Sequence, residues 1–144
     1  GYAKPVSQGS LWASLSSAPK FLQMAPAKFE EYLREEGLDP VIAWRKENGE
    51  TMKPGRELYS KFAKTLLVSG TPSAAFAKAA GLLIEFVPEV DPAALQPGDQ
   101  LAVRLLFRGA AAAGVQVQAS DASGKTVIAG RTDEDGRIAI PISR

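Results

Sequence analysis

Apolar and polar residues alternate with a period of two along most of the last third of the chain. The apolar positions of three such runs are Leu101, Val103, Leu105 and Phe107, then Val115, Val117 and Ala119, then Ile138, Ile140 and Ile142. Turn-forming Gly and Asp residues separate the runs, as in the Asp-Gly step at Asp135 and Gly136. Several short strands at this spacing are typical of antiparallel sandwiches. We therefore predict an Ig-like β-sandwich over residues 82–144.

Nearer the start of the chain the apolar spacing changes to three and four residues, which is the period of an amphipathic helix. The spacing predicts three helices, over Ala27–Glu36, Val41–Asn48 and Gly55–Val68. Pro26 suits the opening of the first helix, and Gly37 suits its end. The third helix has the strongest pattern of the three, with Tyr59, Phe62, Ala63, Leu66 and Leu67 on one side. Trp12 and Trp44 could stack on a sugar or an aromatic ligand, but Trp44, on the second helix, is expected rather to pack in the core or between helices.

These elements predict an α+β protein in which a short helical segment precedes the sandwich. The predicted segments are residues 1–24, extended and carrying short strands at Ser10–Leu15 and Lys20–Met24; residues 25–70, with the three helices; residues 71–81, a linker of small residues; and residues 82–144, the sandwich. We interpret the first segment as the remnant of an N-terminal β portion. We expect the chain to be a fragment of a longer protein from which a signal peptide has been removed.

Composition narrows the chemistry that these residues can perform. The 144 residues include no His and no Cys, so a Ser-His-Asp triad, a thiol nucleophile and a His or Cys metal site are all excluded. The net charge of +1 gives no reason to expect nucleic acid as a partner. No apolar run approaches the roughly 20 residues of a membrane span, so no membrane insertion by this chain is expected. We predict no catalytic, cofactor-binding or metal-binding residues.

Two sets of motifs resemble known families. The pattern FxGxxxxGVxVxA followed by RTDEDGRIAI resembles the carboxypeptidase-regulatory, Cna-B and transthyretin-like group of Ig-like sandwiches. The segments KFEEYLREEGL (Lys28–Leu38) and PGRELYSKFAKTLL (Pro54–Leu67) resemble a bacterial family of NikM-like periplasmic domains that are associated with nickel or cobalt uptake. This second resemblance implies export to the periplasm or the outer surface, a β-rich body and a link to metal uptake. It also implies that any metal-binding histidines lie outside this chain.

The charged group within the predicted third helix is the best candidate for a ligand or docking site. Its members are Arg56, Glu57, Tyr59, Lys61 and Lys64. A cation in the first turn of a helix is disfavoured by the helix dipole, which suggests that Arg56 has a compensating partner. That partner is either a carboxylate of the sandwich or an anionic ligand, and the structural partner is the commoner case. We hypothesise that Arg56 and Glu57 dock the third helix onto the sandwich.

Two acidic clusters have simpler interpretations. Asp133, Asp135 and Gly136 have part of the spacing of a calcium loop but lack its remaining ligands, so we interpret them as a hairpin turn. The cluster Glu30, Glu31, Glu35 and Glu36 is expected to be the solvated face of the first helix, and a paired-carboxylate hydrolase is the less favoured alternative.

The sequence therefore favours a non-catalytic, extracytoplasmic binding or scaffolding domain, periplasmic or extracellular, with an association with nickel or cobalt uptake. The alternative is a structural or adhesive Ig-like module of a cell-surface protein. In either case the expected partner is an unidentified protein or another domain of the same polypeptide.

Overall fold

The computed structural model describes residues 8–142, and at residues 127–129 it describes the backbone alone. The strands are β1 (Gly9–Ser16), β2 (Lys20–Met24), β3 (Gly55–Tyr59), β4 (Phe62–Ser69), β5 (Ile84–Pro88), β6 (Gln100–Phe107), β7 (Ala110–Ala111), β8 (Gln116–Ser120), β9 (Thr126–Arg131) and β10 (Arg137–Pro141), and the helices are α1 (Pro26–Glu35) and α2 (Asp39–Glu47). The contacts divide the chain into two compact units, which we call the helical unit (Ser17–Lys61) and the sandwich unit (Gly1–Ser16 with Phe62–Arg144). The fold is α+β and sandwich-like, and it consists mostly of antiparallel strands.

The helical unit consists of the antiparallel ribbon β2–β3 with both helices. Pro26 is at the start of α1, where its missing N–H costs nothing. The helix ends in a Schellman motif, because Gly37 adopts a φ of 67° and the Leu38 N–H donates to the Leu33 carbonyl at 2.8 Å. Leu33 is almost fully buried.

The Phe29 ring contacts both β3 and α2 in the helical unit. Phe29, on α1, is buried and lies so close to Gly55 that a Cβ on that glycine would overlap the ring. The Arg45 guanidinium lies 4.9 Å from the ring centre and donates to the Glu30 carboxylate at 2.7 Å. Arg45 also donates to two loop carbonyls, so both charges of this buried pair are compensated.

The sandwich unit contains two small sheets and a hairpin. β1 pairs with β4, with Trp12 opposite Leu66, while β6 lies between β5 and β10 in the second sheet and also pairs with β7. β8 and β9 form a hairpin with an irregularity at Val117 and Gln118. Val103, Leu105 and Val117 are the buried apolar side chains of this unit among the described residues.

Buried polar contacts fix the loops of the sandwich unit. Thr132 is buried, accepts a hydrogen bond from the Val115 N–H and donates to the Ala112 carbonyl at 2.6 Å. Gly136 has a φ of 74°, and a Cβ there would come within 2.6 Å of the Leu105 carbonyl oxygen. Only glycine therefore fits at this crossing of two backbones.

Most of the predicted elements are confirmed. The strands expected at Ser10–Leu15 and Lys20–Met24 are β1 and β2, the first two helices are α1 and α2, and strands occupy each predicted segment from residue 84 to residue 141. Residues 71–81, predicted as a linker, lie within the sandwich unit, where Ser73 exchanges two hydrogen bonds with Ser10. The first seven residues of the predicted extended segment lie outside the described residues.

The predicted third helix is wrong, because residues 55–69 form β3 and β4. The apolar set that fits a helix also alternates with a period of two. In β4 the half-buried residues Phe62 and Leu66 alternate with exposed Ala63 and Leu67. Pairing with β1 and β2, more than 30 residues earlier in the chain, outweighs the local helical pattern.

Candidate functional site

The five predicted site residues are divided between the two units. Arg56, Glu57 and Tyr59 lie on β3 and Lys61 follows that strand in the helical unit, whereas Lys64 lies on β4 in the sandwich unit. Because no helix exists here, the argument from the helix dipole no longer applies to Arg56. The hypothesis that Arg56 and Glu57 dock a third helix is therefore wrong in its premise.

Lys64 takes part in a buried charged cluster of the sandwich unit. Its ammonium group lies 2.7 Å from a Glu85 carboxylate oxygen, and the two side chains are 8% and 2% exposed. The same ammonium lies 4.3 Å from the centre of the Trp12 ring, whose N–H donates to the Ala75 carbonyl. Sequence reasoning selected Lys64 but missed Glu85. The available signal was the single charge of Glu85 within the apolar run LLIEFV.

Both oxygens of the Glu85 carboxylate accept hydrogen bonds. Besides Lys64, the backbone N–H groups of Ala80 and Gly81 donate to it, each at 2.8 Å. Burial alone raises the pKa of the Glu85 carboxyl, but the Lys64 hydrogen bond and the two backbone donors outweigh burial, so the net pKa is lowered. This carboxylate is held in its charged form, and the cluster acts as a structural anchor between β4 and β5.

An apolar cleft opens beside this cluster, between the two sheets of the sandwich unit. Its volume is about 670 Å³. One wall is formed by Trp12, Phe62 and Leu66 of the first sheet, and the other by β5 and β6. Because the charged lining residues, Lys64 and Glu85, are paired with each other, the cleft offers apolar surface and no free charge.

The opposite face of the β1–β4 sheet is also apolar, and we call it the β1–β4 face. It consists of Leu11, Ala13, Leu15, Ala63, Thr65 and Leu67, all exposed. Leu11 and Leu15 are 65% and 69% exposed, and Leu67, opposite Leu11, is 52% exposed. No member of the β1–β4 face carries a charge, because Lys64 lies among the alternate, half-buried residues of β4.

Two further predictions fall within the helical unit. Glu30 was expected to be solvated, and this is wrong, because it is 7% exposed and paired with Arg45, whereas Glu31, Glu35 and Glu36 are exposed as predicted. Trp44 was expected in the core or between helices, which is also wrong, because it is 55% exposed. The apolar stripe along each short helix predicted neither the burial of Glu30 nor the exposure of Trp44.

Tyr32 and Glu57 form the other polar contact of note in the helical unit. Burial and a hydrogen bond to Glu57 raise the pKa of Tyr32 to about 12, with further contributions from Glu36 and Tyr59. One oxygen of Glu57 is buried without a hydrogen-bond partner among the described residues. Tyr32 therefore stays neutral and serves as the donor to Glu57.

The interpretation of Asp133 and Gly136 as a hairpin turn is confirmed. The Asp133 carboxylate accepts from the backbone N–H groups of Asp135 and Arg137, and Gly136 supplies the positive φ. Within residues 8–142, no group of three or more His, Cys, Asp or Glu side chains could hold a metal ion. In the same part of the chain, no helix has the length and apolar character needed to cross a membrane.

The fold and these contacts define an α+β protein with a sandwich-like strand unit whose buried charges are paired and whose apolar surface is large. The chain belongs to the family described as "Domain of unknown function (DUF4198)", whose profile matches residues 4–144. No curated protein and no solved structure matches the chain.

Proposed function

We propose that this chain is a non-catalytic binding or scaffolding domain that works outside the cytoplasm and binds a protein through the β1–β4 face. The observation that carries the proposal is the exposure of Leu11, Leu15 and Leu67 on one uncharged surface. Contiguous exposed apolar surface is costly in water and marks interaction sites in folded proteins.

The chemistry of the β1–β4 face specifies the chemistry of its partner. Each strand has eight residues, which gives a length of about 26 Å. A face of this size matches the apolar centre of a protein interface, around which a polar rim adds the remaining area. Because the face carries no charge, the complementary surface is apolar and uncharged. It belongs to another protein or to a further domain of the same polypeptide.

The buried charges support a non-catalytic role. The Lys64–Glu85 and Arg45–Glu30 pairs are both at 2.7 Å and are saturated by additional donors or acceptors. A general acid or base needs an accessible proton and a pKa near the working pH. The lowered pKa of Glu85 fits a structural ion pair better than proton transfer.

The association with nickel or cobalt uptake is part of the same proposal and is supported by the two motifs at Lys28–Leu38 and Pro54–Leu67. Nickel favours imidazole and thiolate ligands, and the sequence has neither. The chain would therefore contribute to uptake by binding a protein component, with the ion held elsewhere. Calorimetric titration with nickel, cobalt and calcium should give no binding heat for this chain, and stoichiometric nickel binding would contradict that role.

Photo-cross-linking in the native cell tests the proposed face. A photoreactive amino acid placed at Leu15 or Leu67 should trap the same adduct, and one placed at the exposed turn residue Glu134 should not. Adding Leu11→Asp should abolish the adduct formed from position 67, because an aspartate would be buried unpaired in the interface. Equal adducts from position 134, or persistence of the adduct in the Leu11→Asp protein, would refute the face.

A further inference from the structure

The two tryptophan side chains of the chain differ in their contacts and in their exposure. Trp12 has its indole N–H bound to the Ala75 carbonyl at 3.1 Å and its ring against the Lys64 ammonium. Trp44 is 55% exposed, and its indole N–H has no hydrogen-bond partner among the described residues. An exposed indole with an unused donor contributes little to the stability of α2, yet it is suited to contact a ligand with both its ring and its N–H.

Trp44 lines a groove of about 510 Å³ in the helical unit. The other lining residues are Phe29, Val41, Arg45, Glu50, Lys53, Pro54 and Arg56. The groove is therefore open, and its lining combines apolar side chains with three cations and one carboxylate.

Two of the three cations that line the groove have an ion-pair partner, and Arg56 has none among the described residues. Arg45 is paired with the buried Glu30 carboxylate, and the Lys53 ammonium is paired with Glu50 at 2.8 Å. Arg56 is exposed, and its side chain has no hydrogen bond or ion pair with any described residue. The groove thus combines one free guanidinium with one exposed indole.

We propose that this groove binds a protein segment in which an acidic side chain stands next to an aromatic or aliphatic one. The carboxylate pairs with the two parallel N–H groups of the Arg56 fork, and the apolar side chain packs on the Trp44 ring. Tryptophan and arginine are the residues that most often dominate protein interfaces. An acidic peptide is favoured over a neutral sugar, because a sugar on Trp44 would leave the guanidinium unpaired. This second surface goes beyond the β1–β4 face and does not depend on it.

Nuclear magnetic resonance on the whole chain tests the groove with defined probes. The probes are two acetylated and amidated tripeptides, Phe-Glu-Phe and Phe-Gln-Phe, which differ only in charge. The indole N–H signals of the two tryptophans are assigned with the Trp44→Phe variant. The Trp44 signal should move with the acidic peptide while the Trp12 signal stays in place. The neutral peptide should bind about tenfold more weakly, as expected for loss of one charge-assisted pair.

Two variants separate the role of Arg56 from a general effect of charge. Arg56→Gln should bring the two peptides to within about twofold of each other. The matched control is Lys46→Gln, which removes the same charge from an exposed position of α2 outside the groove and should retain the tenfold preference. Thermal unfolding of each variant, with an unchanged midpoint expected, verifies that the fold is intact.

Three results would overturn the proposal. The first is a Trp44 signal that does not move at millimolar acidic peptide. The second is equal binding of the two peptides by the unaltered chain, or an undiminished preference in the Arg56→Gln protein. The third is a shift of Trp44 by the neutral oligosaccharide maltohexaose that is the same with and without Arg56, which would make the groove a sugar site.

Discussion

Replacement of Gly55 by alanine distinguishes the observed strand from the helix that the sequence predicts, because the two structures give effects of opposite sign. At the start of a helix, alanine would stabilise the protein by up to about 1 kcal/mol relative to glycine. In β3, Gly55 lies opposite Met24 with its α-carbon against the Phe29 ring. The structure therefore predicts a loss of stability.

The size of the loss follows from the packing around Phe29. The alanine Cβ would fall far inside the ~3.5 Å contact distance of two carbon atoms. The overlap involves the ring atoms nearest the backbone, which cannot swing away, and the Arg45 guanidinium also packs against the ring, 4.9 Å from its centre. Overpacking of a rigid core site costs about 1–3 kcal/mol, and we expect Gly55→Ala to lie at the upper end of that range.

Urea unfolding followed by circular dichroism at the helical wavelength reports on the helical unit, because both helices lie there. The double variant Gly55→Ala with Phe29→Leu should be more stable than the sum of the single effects, because the smaller side chain relieves the overlap. The control is Gly49→Ala, which has a φ of 64° and open space around it, so it should lose only about 1 kcal/mol from backbone strain.

A Gly55→Ala protein as stable as the unaltered chain, or more stable, would refute the close packing of β3 on α1. Additive effects of Gly55→Ala and Phe29→Leu would show that the two sites do not touch.

Other predictions concern the polar contacts. Lys64→Met should destabilise the sandwich unit by about 3 kcal/mol or more in urea unfolding, because it leaves the Glu85 carboxylate buried and unpaired; a loss below about 0.5 kcal/mol, as at a surface site, would contradict the burial. The pKa of Glu85 is lowered in the fold. The stability that this carboxylate contributes is therefore present above its unfolded pKa of about 4.3 and is lost as the pH falls through the folded value. Glu85→Gln should therefore flatten the acid limb of a stability–pH profile. Tyr32, whose pKa is raised to about 12, stabilises the fold below pH ~10 and loses that contribution as the pH rises towards 12. Glu57→Gln should lower the pKa of Tyr32 in a spectrophotometric titration, and Tyr32→Phe is used to assign the signal. Calcium and a chelator should leave the thermal midpoint equal, because Asp133 directs its carboxylate to its own turn, and a calcium-dependent rise in the midpoint would contradict the turn.

The strands β5, β6, β8, β9 and β10 could be predicted from sequence because each is marked locally. Glycine and aspartate turns separate them, and the alternation that buries Val103 and Leu105 places Ala102 and Arg104 on the other face. The same local signals gave α1, where Pro26 and Gly37 mark the two ends. These features depend on neighbouring residues, and so a single sequence contains them.

The errors arise where distant residues determine the outcome. The period of three and four in residues 59–67 fits a helix as well as a strand, and only β1 and β2 decide between them. Glu30 is a charged residue in an acidic cluster, so its own segment predicts exposure, but it pairs with Arg45 of the next helix in a buried position. The partner of Lys64 was likewise hidden, because Glu85 is 21 residues away in the sequence. Pairing between residues so far apart in the chain produces no periodic pattern in the sequence.

One measurement decides most directly whether the β1–β4 face binds a partner or completes the core of the chain. The double variant Leu11→Asp and Leu67→Asp is compared with the unaltered chain for its unfolding midpoint and for the adduct trapped from position 15. Because both leucines are more than half exposed, the fold should lose no more than the cost of two aspartates facing each other across the strand pair, about 1 kcal/mol or less, while the adduct disappears. A large fall in the midpoint, or an adduct that survives both aspartates, would contradict a docking role for this face.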